Sequence, residues 1–134
     1  MNAPLDLDAV TAAGARLGRE LAAGSVIWLE GPLGAGKTTL VRAITSGRGV
    51  AEPATSPTFG LVHHYRGPTG DIYHVDCYRL RDPEEAADLD WETLVSSDLL
   101  LVEWPERAGL WAPPPAVRVR ITDAGGDLRR LEFA

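Results

Sequence analysis

The sequence predicts a single α/β domain, residues 1–134, with a mixed sheet that has a parallel centre and antiparallel flanking strands. Three observations carry that expectation. Two short apolar runs, "SVIWLEG" and "DLLLVEW", have the length and composition of strands buried on both faces. Two pairs of β-rich runs are each joined by a glycine-bearing turn, "GPTG" and "DAGG". Between them lie stretches with helical spacing and helix-end signals, and alternation of strand and helix is how crossover connections build a parallel sheet.

Taken in order, "DLDAVTAAGARLGRELAAG" predicts a helix from Asp8 to Ala22, with Val10, Leu17 and Leu21 on one stripe and Gly24 as the stop. "SVIWLEG" follows as a buried strand. "GAGKTTLVRAITSG" predicts a helix ending near Gly47. Pro53 and Pro57 punctuate a loop. "TFGLVHHYRG" and "DIYHVDCYRL" predict an antiparallel pair. "DPEEAADLDWETL" predicts a helix with an aspartate cap and Pro83 at its first position. "DLLLVEW" is the second buried strand, and "PPPAVRVRIT" with "DLRRLEFA" predicts a closing hairpin.

Composition narrows function. A chain of 134 residues with 45% hydrophobic residues suits one core and leaves little room for a separate lid. With Lys+Arg 13 against Asp+Glu 19 and net charge −6, it is ill suited to grip nucleic acid by itself. Cys77 is the one cysteine, so no internal disulfide can form. No apolar run reaches membrane-spanning length and the N-terminus lacks the pattern of a signal peptide, so a cytoplasmic protein without a membrane partner is expected.

"GPLGAGKT", Gly31 to Thr38, matches G-x-x-x-x-G-K-[ST] at every fixed position, directly after an apolar strand and opening a helix. Glycines let successive N–H groups curl around phosphate oxygens, and the helix N-terminus favours negative charge. Gly31, Leu33, Gly34, Ala35, Gly36, Lys37, Thr38 and Thr39 are therefore the expected triphosphate cradle. Lys37 reaches the outer phosphates and Thr38 is placed to ligate Mg2+. A chance glycine-rich turn is the bland reading, and the strand and helix on either side argue against it. Such a site also needs an acid at a strand end, and Glu103 stands immediately after the apolar "LLLV".

"YHVDCYRL" crowds several reactive side chains together. On a strand His74, Asp76 and Tyr78 share one face, and Val75 and Cys77 the other. A zinc site is disfavoured by that split, and Cys77 reads as a small buried hydrophobe. Asp76, facing a triphosphate, can hold Mg2+ or a water bound to it. His74 reads as a hydrogen-bonded structural residue rather than a base.

Taken together, "LGAGKTTLVR", "SPTFGLVHHY", "HVDCYRL" and "LVEWPERAG" resemble the TsaE (YjeE) family of small bacterial P-loop ATPases, from Leu17 to Val119. The resemblance implies a three-layer P-loop NTPase-like fold and a role in threonylcarbamoyl modification of adenosine beside the tRNA anticodon. It implies ATP and Mg2+ as cofactors and TsaD and TsaB as protein partners, with tRNA met only through that complex. It implies that Thr38, Asp76 and Glu103 surround Mg2+ and that Lys37 holds the phosphates, which makes Lys37, Asp76 and Glu103 the catalytic set. Ser56 to Phe59 would form a switch-like loop, and Trp104 would lie beside the nucleotide. The chain departs from the family at Pro32, where aspartate is usual, and at Ala43, where glycine is usual. Pro32 removes one N–H from the loop. Arg42 and Arg79 are the candidate internal arginine fingers. Two rival classes are a small-molecule kinase, which would need an arginine-bearing lid, and a nucleotide-gated interaction module with no catalytic requirement.

Overall fold

A computed structural model describes residues 3–32, 34–51 and 61–134. One six-stranded sheet organises them. Its strands are β1 (Ser25–Glu30), β2 (Val62–Gly67), β3 (Gly70–Asp76), β4 (Leu99–Glu103), β5 (Val117–Asp123) and β6 (Arg129–Phe133), in the order β2-β3-β4-β1-β5-β6. β3, β4, β1 and β5 run parallel, while β2 and β6 pair antiparallel at the two edges. The predicted parallel centre with antiparallel flanks is present, and both turn signals close hairpins.

Side chains alternate between the two faces of a strand, and that period of two builds the layers. Ile27 and Leu29 of β1 and Leu99 and Leu101 of β4 join Val10, Leu40 and Ile44 in one core. Val26 of β1 and Leu100 and Val102 of β4 pack on the opposite face with Val75, Cys77 and Ala86. The first face is covered by helices α1 (Leu7–Glu20) and α2 (Lys37–Gly47). The second is covered by the 3-10 segments Pro83–Asp88 and Pro105–Trp111 and the short helix α3 (Trp91–Val95). Strands covered on both faces need no polar alternation, which is why β4 is buried along its whole length.

Asp6 caps α1 by accepting from the Ala9 N–H at 2.8 Å, two residues before the expected start. Val10 is buried, and Leu17 and Leu21 pack against the same core. Gly14 and Gly18 are buried too, because α1 lies almost backbone to backbone on α2: a Cβ at Gly14 would stand 2.6 Å from Ala43 Cβ. Alanine at position 43 thus occupies the seam between the helices.

The stretch predicted as one helix from Asp82 is two short pieces. Asp82 accepts from Glu84 N–H and Pro83 stands at the first position as expected, in a capping box with Glu85, but the piece is 3-10 and ends at Asp88. Leu89 is extended, and Asp90 caps α3 anew by accepting from Thr93. Two aspartate caps in so short a stretch offer two N-termini, which is the physical reason for the break.

Arg48 ties the far end of these layers together. Its guanidinium pairs with Asp98 at the start of β4 through 2.9 and 2.8 Å bonds and donates to the Gly18 and Leu21 carbonyls at the end of α1. Among the described residues, no helix is long and apolar enough to cross a membrane.

Candidate phosphate and metal site

β1 ends at Glu30 and the chain turns through Gly31 to Gly36 into α2. Gly31 has φ 147°, and a Cβ there would collide with the Ile121 carbonyl of neighbouring β5. Gly36, the cap residue just before α2, is left-handed at φ 106°. Both positions therefore demand glycine. The first turn of α2 presents N–H groups that have no acceptor within the helix. Leu33, expected in the cradle, and Ser56 to Phe59, expected as a switch-like loop, lie outside the described residues.

Lys37 opens α2 with its side chain folded back over the loop. Its ammonium donates to the Gly31 carbonyl and, at 2.9 Å, to the Pro32 carbonyl, and it lies 4.8 Å from the centre of the Trp104 ring. Burial pulls the Lys37 ammonium below its usual pKa, while Glu103, Asp76 and Glu106 oppose that shift. Pro32, the departure that costs an N–H, keeps its carbonyl in use as acceptor for Lys37 and for the Ala35 N–H at 3.2 Å.

The acids come from the sheet. On the α2 face, β3 places Ile72, His74 and Asp76 in succession, and β4 places Leu99, Leu101 and Glu103. Both rows begin in the apolar core and end in carboxylates, and Asp76 and Glu103 are direct neighbours across the parallel ladder. Asp76, Glu103 and Thr38 line one cavity of about 480 Å3, together with Arg42, His63 and His74. Three segments far apart in sequence thus converge at the N-terminus of α2.

Glu103 is only 5% exposed, and a buried carboxylate needs partners. His74 Nε2 supplies one at 3.0 Å. His74 is thus hydrogen-bonded, as its sequence context suggested. His63 of β2 stacks on it at 5.2 Å, and burial, followed by repulsion from His74, lowers the His63 pKa. Asp76 Oδ1 accepts from the Tyr78 N–H at 3.0 Å, which fixes the turn leaving β3. Val75 and Cys77 point to the other core, as the strand period required, and burial pushes the Cys77 thiol up to about 12.

Tyr78 does not share that cavity, because β3 ends at Asp76. Its ring packs at 5.3 Å against Trp104, which is neither on β4 nor in a helix but holds a left-handed conformation at φ 54°. Of the two finger candidates, Arg42 lines the acidic cavity and Arg79 lines a separate groove. Among the described residues no group of three or more His, Cys, Asp or Glu side chains is placed to hold a metal ion.

Several contributors carried no signal of their own in the sequence. Arg129 of β6 donates from Nε to the Ala35 carbonyl at 2.9 Å and so grips the Gly31–Gly36 loop from the sheet. A second cavity of about 360 Å3 lies on the Gly36 and Thr39 side of the same helix start, walled by Leu7, Val10, Ile121 and Asp127. Neither the apolar walls nor the hairpin acid belong to a local pattern.

Comparison with known proteins agrees with the motifs. The family described as "Threonylcarbamoyl adenosine biosynthesis protein TsaE" matches residues 5–131. The tRNA threonylcarbamoyladenosine biosynthesis protein TsaE of Nostoc sp. is 40% identical over 125 residues, covering 90% of this chain and 76% of that protein. The protein of the same name from Streptomyces coelicolor is 42% identical over 117 residues, covering 85% and 79%. The crystal structure of YdiB from Bacillus subtilis superposes with a TM-score of 0.78 at 26% identity, over 99% of this chain and 86% of that one.

Proposed function

The chain belongs to the TsaE family, and from that premise we propose that it serves tRNA threonylcarbamoyladenosine biosynthesis as a Mg2+-dependent ATPase acting on a TsaB–TsaD complex. The observation that carries the ATPase reading is the convergence of Thr38, Asp76 and Glu103 on one cavity at a glycine-loop helix start.

The donor set fits magnesium. A hydroxyl and two carboxylates are hard oxygen ligands, and Mg2+ is ordinarily held by one or two carboxylates with phosphate and water completing its shell. Bound there, the ion would neutralise charge on the outer phosphates.

The chain's own residues would then act as follows. Lys37, now satisfied by the Gly31 and Pro32 carbonyls, would transfer its ammonium to the phosphates. The N–H groups at the start of α2 would hold phosphate oxygens. Asp76 or Glu103 would orient the attacking water, with His74 fixing the Glu103 carboxylate. Thr38 and Thr39 are successive residues that line two separate cavities. With the outer phosphates on the Thr38 side, the nucleoside would extend past Thr39 into the largely apolar cavity beside Asp127.

The test is ATP turnover by the isolated protein with and without TsaB–TsaD. Slow hydrolysis that rises with the complex supports the reading. No change in ATP turnover or in tRNA modification counts against it, as does phosphate appearing on an added metabolite rather than in water. Lys37→Ala is expected to lower turnover by about a hundredfold or more while leaving the fold intact. A variant with normal turnover would remove the site assignment.

A further inference from the structure

The segment Pro105–Trp111 and the turn after β3 build a second open groove of about 700 Å3 that shares no lining residue with the acidic cavity. Arg79, Arg81 and Arg107 meet in it beside Tyr78, and Glu106 is the only acid among its lining residues. Arg79 and Arg81 are exposed, and among the described residues neither side chain has an ion-pair partner. Arg107 is held in place: it donates to the Tyr78 carbonyl and lies over the Tyr78 ring at 4.8 Å and the Trp104 ring at 5.1 Å. In a chain of net charge −6, three arginines on one groove are a local reversal of sign.

Apolar groups adjoin them. Leu110 is fully exposed at 103% and Trp111 is 44% exposed. Gly109, at φ 58°, turns the chain beside Pro83 of the groove, where an added Cβ would stand 3.0 Å from the proline Cβ. Arginine, tyrosine and tryptophan are the residue types enriched at protein-binding hot spots, and exposed apolar side chains adjoin them here. We propose that this face, carrying Arg79, Arg81, Arg107, Leu110 and Trp111, docks a protein partner that presents carboxylates beside an apolar socket. RNA fits less well. Asp82, Glu84, Glu85 and Asp88 continue directly from Arg81, and a continuous phosphate backbone running on past the groove would meet their repulsion, whereas a partner's few carboxylates need meet only the arginines.

The face is coupled to the nucleotide site through Trp104. That residue follows Glu103, is the only non-glycine with positive φ among the described residues, and has Lys37 and Arg107 both within about 5 Å of its ring. A carboxylate that draws Arg107 toward a partner disturbs the ring on which Lys37 rests.

This inference rests on the ATPase reading and takes TsaB–TsaD as the probe. Binding of immobilised TsaB–TsaD is measured for the wild type, Arg81→Glu and Leu110→Asp, and ATP affinity and thermal stability are measured for each free protein. Each substitution is expected to weaken docking by about tenfold or more while ATP affinity and melting temperature stay at wild-type values. Added salt should weaken wild-type docking more than that of Arg81→Glu. Wild-type docking by both variants overturns the face and leaves the ATP site standing. Absence of wild-type association overturns the partner assignment and this docking surface with it. Loss of binding to unmodified tRNA with TsaB–TsaD docking kept overturns the proposal in favour of RNA. In Arg107→Ala the difference in docking between ATP-loaded and ATP-free protein should vanish; its persistence overturns the coupling.

Discussion

Replacing Arg48 by methionine removes a guanidinium that serves three elements at once. The Asp98 side chain is 1% exposed and that of Arg48 10%. Without Arg48, the carboxylate keeps the 2.8 Å bond from Thr69 but has lost both of its charged contacts. Stranding a buried charge in this way costs about 3–5 kcal/mol. The Gly18 and Leu21 carbonyls at the end of α1 lose their donor as well, which adds roughly 1 kcal/mol or more. Against a typical domain stability of about 5–15 kcal/mol, that is a large fraction. For a chain of this length each kcal/mol lowers the melting temperature by roughly 3–4 °C, so a fall of about 12–24 °C is expected by far-ultraviolet circular dichroism. The double variant Arg48→Met/Asp98→Leu should recover most of the loss, because neither charge is then buried alone. The sign with pH is also fixed. Arg48 holds the Asp98 carboxyl below the usual carboxylate range, with burial opposing and Thr69 assisting. The stability that Asp98 adds is therefore complete above its unfolded value of about 4 and disappears as pH falls through the depressed folded value. The gap between the wild type and Asp98→Asn should be constant near neutrality and close on acidification. A loss below about 1 kcal/mol for Arg48→Met, or a double variant no better than the worse single one, would refute the reasoning.

Other expectations test other parts of the molecule. In Gly18→Ala, the added Cβ falls on the Ile44 carbonyl oxygen, and such overpacking costs about 1–3 kcal/mol although alanine favours an isolated helix by about 1; denaturant unfolding showing a net gain would contradict the helix seam. Cys77, fully buried with its thiol pushed up to about 12, should resist thiol-specific reagents at pH 8 until the chain unfolds, and immediate labelling of native protein would place it elsewhere. Arg129→Ala removes a charged donor from the Ala35 carbonyl and should weaken ATP binding about tenfold by calorimetry, with little change in melting temperature; unchanged affinity would mean the loop holds its shape without the clamp.

The sheet was legible because its signals are local. β1 and β4 are continuous apolar runs, and the edge strands carry their turns with them. What could not be read was the closeness of α1 to α2. Gly14 and Gly18 look like weak points in a helix, where glycine costs about 1 kcal/mol relative to alanine. Their reason lies in Ala43 and Ile44, brought against them only by the crossover. The split of the Asp82–Leu94 stretch was visible in part, since both caps are in the sequence, but which of two competing N-termini prevails is decided by packing on the second core.

The candidate site shows the same division at finer scale. The glycine turn between β1 and α2 is a contiguous string, so Gly31 to Thr38 could be singled out from the sequence. Asp76 and Glu103 could be singled out because strand alternation assigns each a face, and because Glu103 follows an apolar run. That they become neighbours is a matter of register: β3 and β4 align Asp76 with Glu103, and a slip of one residue would send one carboxylate into the opposite core. The register is held by Ile72 against Leu99 and Val75 against Val102, all fully buried. Apolar packing in the middle of the sheet thus sets the separation of the two acids at its end. His74 follows from the same alignment. It sits opposite Leu101 rather than Glu103, yet its side chain reaches the carboxylate two residues on. No sequence spacing encodes that bond. Substitutions at Ile72 or Val102 should therefore impair the proposed ATP turnover without touching Asp76 or Glu103 themselves, because the strands they lock carry the acids.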